Sequence, residues 1–238
     1  MFIHKEDGMA DIKIGLVYTS TTPELIELVE REVTEALSGA GEVELLSYQD
    51  PSILAEVREH GYVTTAPAAR LAAMFCQAMQ DGADAILNIC SSVGEVADSV
   101  QDMARYMGVP IVRIDEEMCR EAARSGERIG VMATLPTTLE PTMNTVARTA
   151  RSINRHPQII PGLIDGAFGL NQDAFRAVML QKAQELKDQV DVLVFAQGSM
   201  AYCEEYIAEQ TGLTVLSSPR FGAAALKCAL IDLGKVEA

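Results

Sequence analysis

Tryptophan is absent from this 238-residue chain, and aromatic residues make up only 5% of it. A β-sandwich core is poorly served by that composition, whereas aliphatic packing of helices on a sheet suits the 48% hydrophobic content. The five cysteines, Cys76, Cys90, Cys119, Cys203 and Cys228, include no C-x-x-C pair, and their odd number leaves at least one thiol free. A disulfide scaffold is therefore not indicated, and a reducing, cytoplasmic compartment is expected. No apolar run approaches the length of a bilayer span, so no membrane partner is expected. Residues 1–11 carry charges in place of a signal-peptide core and read as a flexible tail. Basic residues are few: 19 lysines and arginines face 34 acidic residues, a formal charge of −15. Without a basic run the chain cannot displace counterions from a polyanion, which excludes nucleic acid as a partner. A small anion is not excluded, because helix N-termini and local donors can hold one inside an acidic whole. His4, His60 and His156 have no metal-ligand spacing, so no metal is expected.

What the sequence does contain is a regular alternation of short apolar runs and amphipathic stretches. Ile12 to Tyr18 reads as a strand ending in the polar cluster Thr19, Ser20, Thr21 and Thr22, with a helix from Pro23 to about Leu37. A strand over Val43 to Tyr48 and a helical piece over Ser52 to Glu59 follow. Pro67 then stands near the start of a helix reaching about Asp81. Asp84 to Ile89 is a buried strand, Cys90-Ser91-Ser92 a turn, Gly94 to Met107 a helix, and Val109 to Ile114 another strand. Such alternation predicts a parallel sheet with helices on its faces.

The pattern then restarts. Glu127 to Thr134 resembles Asp11 to Thr19, and Val190 to Ala196 echoes Gly82 to Ile89, with a short strand over Thr214 to Leu216 afterwards. The distance from Gly15 to Cys90 is close to that from Gly130 to Gln197. A duplicated α/β unit is inferred, its strand-end loops facing one cleft. Strand-loop-helix units look alike in any α/β protein, so chance likeness is the competing account of the repeat. A nucleotide-binding fold is disfavoured, since the first loop has neither G-x-G-x-x-G nor G-x-x-x-x-G-K-[ST]. Ser217 to Leu233 reads as a last helix returning to the first lobe.

Cys90 carries the most chemistry. A thiol at the carboxyl end of a strand and just ahead of a helix meets unpaired N–H groups and a helix dipole that favour the thiolate. The hydroxyls of Ser91 and Ser92 are placed to hold a carboxylate beside it. Cys76, Cys119 and Cys228 lie within helical patterns and are read as small packing residues.

The segment Gly82-Ala83-Asp84-Ala85-Ile86-Leu87-Asn88-Ile89-Cys90-Ser91-Ser92 resembles the first catalytic motif of aspartate/glutamate and hydantoin racemases. Arg128-Ile129-Gly130-Val131-Met132-Ala133-Thr134-Leu135-Pro136-Thr137 is similar to the stretch that opens that family's second lobe, and Ile14-Gly15-Leu16-Val17 to its first-lobe counterpart. The resemblance implies an α/β fold of two pseudo-symmetric three-layer lobes with parallel sheets and an active site between them. Its expected bounds are residues 12–115 with 217–238 for the first lobe and 116–216 for the second. It further implies proton transfer at the carbon α to a carboxylate, without cofactor, through Cys90, and a homodimer or higher homo-oligomer. Where the family has Leu-Gly-Cys-Thr, this chain has Phe195-Ala196-Gln197-Gly198-Ser199, so either Gln197 or Ser199 is expected at the place of a second cysteine. Cys203, four residues beyond Ser199, is read as a helix packing residue.

Thr19, Ser20, Ser91, Ser92, Thr134, Thr137, Thr138, Gln197 and Gly198 are the candidate substrate-binding positions, and Ser199 joins Cys90 as a candidate catalytic group. Each hydroxyl has an ordinary alternative as a cap or loop residue. Tyr62 is a further candidate donor. The leading expectation is a racemase or isomerase acting on a small carboxylate, an amino acid or hydantoin-like derivative. A single active thiol also suits a cofactor-free decarboxylase or a dicarboxylate isomerase, and a non-catalytic binding protein on the same scaffold is the non-enzymatic alternative.

Overall fold

The computed structural model describes residues 12–20 and 22–237; the tail expected over residues 1–11, and Thr21, lie outside them. Strand β1 (Ile12–Tyr18) leads to helix α1 (Pro23–Ala36), whose start is set by Pro23 in its first turn and by the Thr22 side chain accepting from the Leu25 N–H. Leu25, Val29 and Val33, spaced four apart, form its buried face. There follow β2 (Val43–Gln49), α2 (Pro51–His60), α3 (Thr65–Gln80), β3 (Ala85–Ile89), α4 (Gly94–Ser99), α5 (Gln101–Met107) and β4 (Ile111–Arg113). The second half runs α6 (Glu116–Ser125), β5 (Arg128–Ala133), α7 (Pro136–Ser152), β6 (Gln158–Leu163), α8 (Gln172–Leu186), β7 (Val192–Phe195), α9 (Glu204–Thr211), β8 (Thr214–Ser217) and α10 (Ser218–Asp232).

These make two four-stranded sheets of identical plan, β2-β1-β3-β4 and β6-β5-β7-β8, with every pairing parallel. β3 and β7 are buried along their whole length, which is why β7 reads in sequence as an unbroken apolar run and β3 as one interrupted only by Asn88. Each sheet has a separate core on each face, as helices on both sides require. The last helix crosses back: Ala223, Leu226 and Leu230 of α10 pack with β1 and β3 residues in the first lobe. Its Gly222 lies so close to Ile114 that an added Cβ would stand 2.9 Å from the Ile114 Cα.

Two local expectations change. The helix expected over 94–107 is broken at Val100 into α4 and α5, and residues 91–93 form a single 3₁₀ turn ahead of it. β6, at the edge of the second sheet, and α8 stand where the sequence reading placed no element. Among the described residues no helix is long and apolar enough to cross a membrane.

Candidate active site

In each sheet the chain leaves a central strand toward one edge and re-enters on that strand's other side. A crevice therefore opens at the carboxyl ends between β1 and β3, and between β5 and β7. Tyr18 pairs with Ile89 at the end of the first pairing, so Thr19 and Cys90 are the next residues on each side of that crevice. In the second lobe Met132 pairs with Phe195, and the same register carried on sets Thr134 beside Gln197. A hydrogen-bond pair fixes that meeting: Gln197 Oε1 accepts from the Thr134 N–H at 2.8 Å and from Thr134 Oγ1 at 2.9 Å. Gln197 thus stands in the second lobe where Cys90 stands in the first, and each heads a 3₁₀ turn, Ser91–Val93 or Gly198–Cys203. Because a backbone N–H can only donate, the Gln197 oxygen must face Thr134, which leaves its amide NH₂ without an acceptor among the described residues.

The two turns meet at a cavity of about 50 Å³, room for a few waters or a compact ligand. Ser20, Cys90, Ser91 and Ser92 line it from the first lobe, and Thr138, Gln197, Gly198 and Ser199 from the second. One hydrogen bond closes the lobes on each other there, between Ser92 Oγ and Thr138 Oγ1 at 2.8 Å. Asn88 holds the Cys90 turn from behind, its Nδ2 donating to the Cys90 carbonyl at 3.2 Å.

Burial pushes the Cys90 thiol up, while the Thr19 hydroxyl, the Ser92 and Val93 N–H groups and the Ser92 hydroxyl pull the other way and do not cancel it. The sequence expectation of a thiolate favoured by the following helix is thereby reversed. Only a 3₁₀ turn follows directly, and desolvation in the closed pocket outweighs its donors. As a residue Cys90 is half-buried. With the thiol raised by burial, its alkylation by iodoacetamide should keep rising with pH beyond the point where free cysteine levels off. A rate that levels off at or below that point would contradict the burial argument.

A family model of Asp/Glu/hydantoin racemases matches residues 14–226. The chain belongs to that family. No curated protein matches it in sequence. Among solved structures, glutamate racemase RacE1 from Bacillus anthracis is similar with a TM-score of 0.72 at 16% identity, covering 94% of this chain and 84% of that one. Allantoin racemase from Klebsiella pneumoniae gives 0.63 at 17% identity, with 95% and 90% covered. Glutamate racemase from Francisella tularensis, solved in complex with D-glutamate, gives 0.67 at 14% identity, with 96% and 84% covered. At these identities the likeness speaks for the two-lobe fold, and the family match makes the chain a racemase-family enzyme.

Not every candidate position of this racemase-family chain reaches the cavity. Thr19 is fully buried behind Cys90, its hydroxyl without an oxygen or nitrogen partner. Thr134 holds Gln197 and does not line the cavity itself. Thr137 and Tyr62 line a neighbouring interlobe cleft instead, for Thr137 precedes Thr138 by about 100° of rotation around α7 and faces away. Cys203 and Cys119 are buried in second-lobe cores and Cys76 is half-buried in α3, as packing residues; Cys228 is exposed, which corrects its reading as a buried one. Sequence reasoning missed the apolar wall of Leu25, Leu54, Ile114, Leu135 and Phe168. Nothing in the linear pattern marks those side chains, since each lies on an ordinary helix, turn or loop. Among the described residues no three His, Cys, Asp or Glu side chains are grouped as a metal site requires.

Proposed function

We propose that the chain is a cofactor-independent isomerase that exchanges the proton on the carbon α to a carboxylate or equivalent carbonyl, in an amino acid or hydantoin-like substrate, with Cys90 as its acid–base group. The observation that carries this reading is the meeting of the Cys90 turn and the Gln197–Ser199 turn on one cavity lined with neutral donors. The minor ionised fraction of Cys90, its own proton released to solvent, takes the α-proton, and the C–H electron pair passes into an enediolate. Hydroxyls of Ser91 and Ser199, whichever of Ser92 and Thr138 does not spend its proton on the other, and the Gln197 amide supply hydrogen bonds to the oxygens where that charge gathers. The thiol so formed returns its proton to the same face, which regenerates the starting enantiomer. Inversion needs a proton from the other lobe, where Gln197 has none to exchange. A water held by the Gln197 amide or the Ser199 hydroxyl must deliver it, and that route is slower. The D-glutamate bound to a structural relative supports a small carboxylate as the kind of ligand this fold holds.

The test compares two rates on one substrate in D₂O. Deuterium incorporation at the α-carbon, followed by proton NMR, is expected to outpace inversion, followed by optical rotation, by about tenfold or more. Equal rates would mean that both faces have equivalent acid–base groups, against the role given to Gln197. Absence of any exchange would sink the reading as a whole.

The raised thiol favours a second reading, because a group that is protonated at rest is a proton donor. A cofactor-free decarboxylase needs only to protonate one face of the enediolate left when CO₂ departs. Release of CO₂ from an α-disubstituted malonate, with one enantiomer of product, would select that reading over isomerisation.

A further inference from the structure

The residues that close the cavity opposite the hydroxyls carry information about the substrate's substituent. Among the described residues no arginine, lysine, histidine, aspartate or glutamate lines the cavity. Its remaining wall is aliphatic and aromatic: Leu25 and Leu54 from α1 and α2, Ile114 and Leu135 from the segments joining sheet and helix, and Phe168 from the loop after β6. That loop is built to present Phe168 to the other lobe. Gly166 and Gly169 both take left-handed backbone, φ +74° and +86°, which permits the sharp turns on either side. Between them Ala167 is buried in the second-lobe core with Ile164, while Phe168 is 41% exposed and lies under the Arg58 guanidinium of α2, 4.2 Å from the ring centroid. Arg58 therefore holds the ring from the first lobe and does not itself line the cavity.

We infer that Phe168 and the aliphatic wall select a substrate whose α-substituent is apolar and unionised, and turn away substrates with an acidic side chain. The inference rests on the proton-transfer reading above and goes beyond it to the substrate class. A second carboxylate placed against this wall loses its hydration and meets no cation in exchange, whereas an alkyl group of the same size leaves water for matching surface. The α-carboxylate or ring carbonyl still has the serine, threonine and glutamine donors on the other side.

The experiment uses matched pairs in which size is held and charge is changed: valine against aspartate, and 5-isopropylhydantoin against 5-carboxymethylhydantoin. Deuterium incorporation at the α-carbon is measured on the full chain with the enzyme-free rate subtracted. The apolar member of at least one pair is expected to exceed its acidic partner by about 100-fold in kcat/KM. An acidic member that is equal or faster overturns the inference. Should no compound exchange, the proton-transfer reading fails, and selectivity is then judged by calorimetric binding to the Cys90→Ser protein. Tighter binding of the apolar members keeps the inference; tighter binding of the acidic ones, or binding of neither, overturns it. Phe168→Ala is expected to raise KM for the apolar member about tenfold with kcat within about threefold, and Phe168→Leu to restore most of the loss. An unchanged KM in Phe168→Ala removes Phe168 from the selecting role.

Discussion

Replacing Cys90 with serine is expected to lower α-proton exchange at least about 10³-fold, toward the upper end of what a positioned acid–base group contributes. The change swaps sulfur for oxygen in a turn held from behind by Asn88 Nδ2, so the backbone that presents the side chain stays in place. What is lost is acidity. A serine hydroxyl holds its proton far more strongly than a thiol, and the pocket that already raises the thiol by desolvation would raise the hydroxyl as well. Lowered kcat with nearly unchanged substrate binding is the expected signature, because the donors on both lobes remain. Activity within tenfold of the parent would show that another group moves the proton.

The largest stability effect is expected at Arg113. Its guanidinium, in a residue only 5% exposed, donates to both oxygens of Asp115 at 3.0 and 2.9 Å, to Asp98 at 2.6 Å and to Thr145 Oγ1 of α7 at 2.8 Å. Burial works against the charge, but Asp115 and Asp98 more than offset it and hold the group well above the ordinary arginine range. Gly94 makes the arrangement possible, since an added Cβ there would lie 2.4 Å from the guanidinium carbon. Because Arg113 belongs to β4 and Thr145 to α7, the cluster also ties the first lobe to the second. Arg113→Met leaves Asp115, 1% exposed, without its partner. The expected loss is about 3–5 kcal/mol, on the order of 10 °C in Tm by thermal denaturation. The double variant Arg113→Met with Asp115→Leu should recover much of it, because the cost lies in the stranded carboxylate more than in the missing pair. A double variant no better than Arg113→Met alone would refute that account.

Strands β1, β3, β5 and β7 are legible in the sequence because parallel strands buried on both faces must be apolar throughout. The turns at their ends are legible because the apolar run stops at a polar cluster. The edge strand β6 escapes for the opposite reason: Pro161 interrupts it and its residues are mostly half-exposed or exposed, which is tolerable only at an edge. The helix break at Val100 is equally silent, since no glycine or proline marks it. Among the candidate site residues, Thr138 and Thr137 are equivalent on paper, and only the rotation of α7 decides which faces the cavity. The register of β5 against β7 likewise sets Gln197, and not Ser199, beside Thr134.

Chain order alone determined that two α/β units follow one another and that a cysteine stands at the carboxyl end of a central strand, because strand burial and turn chemistry are written in neighbouring residues. Tertiary structure decided the rest: the burial that raises that cysteine's thiol, the group facing it, the uncharged wall with Phe168 and the buried arginine between the lobes. Each of these depends on desolvation and on contacts between residues distant in the chain, which no local pattern encodes.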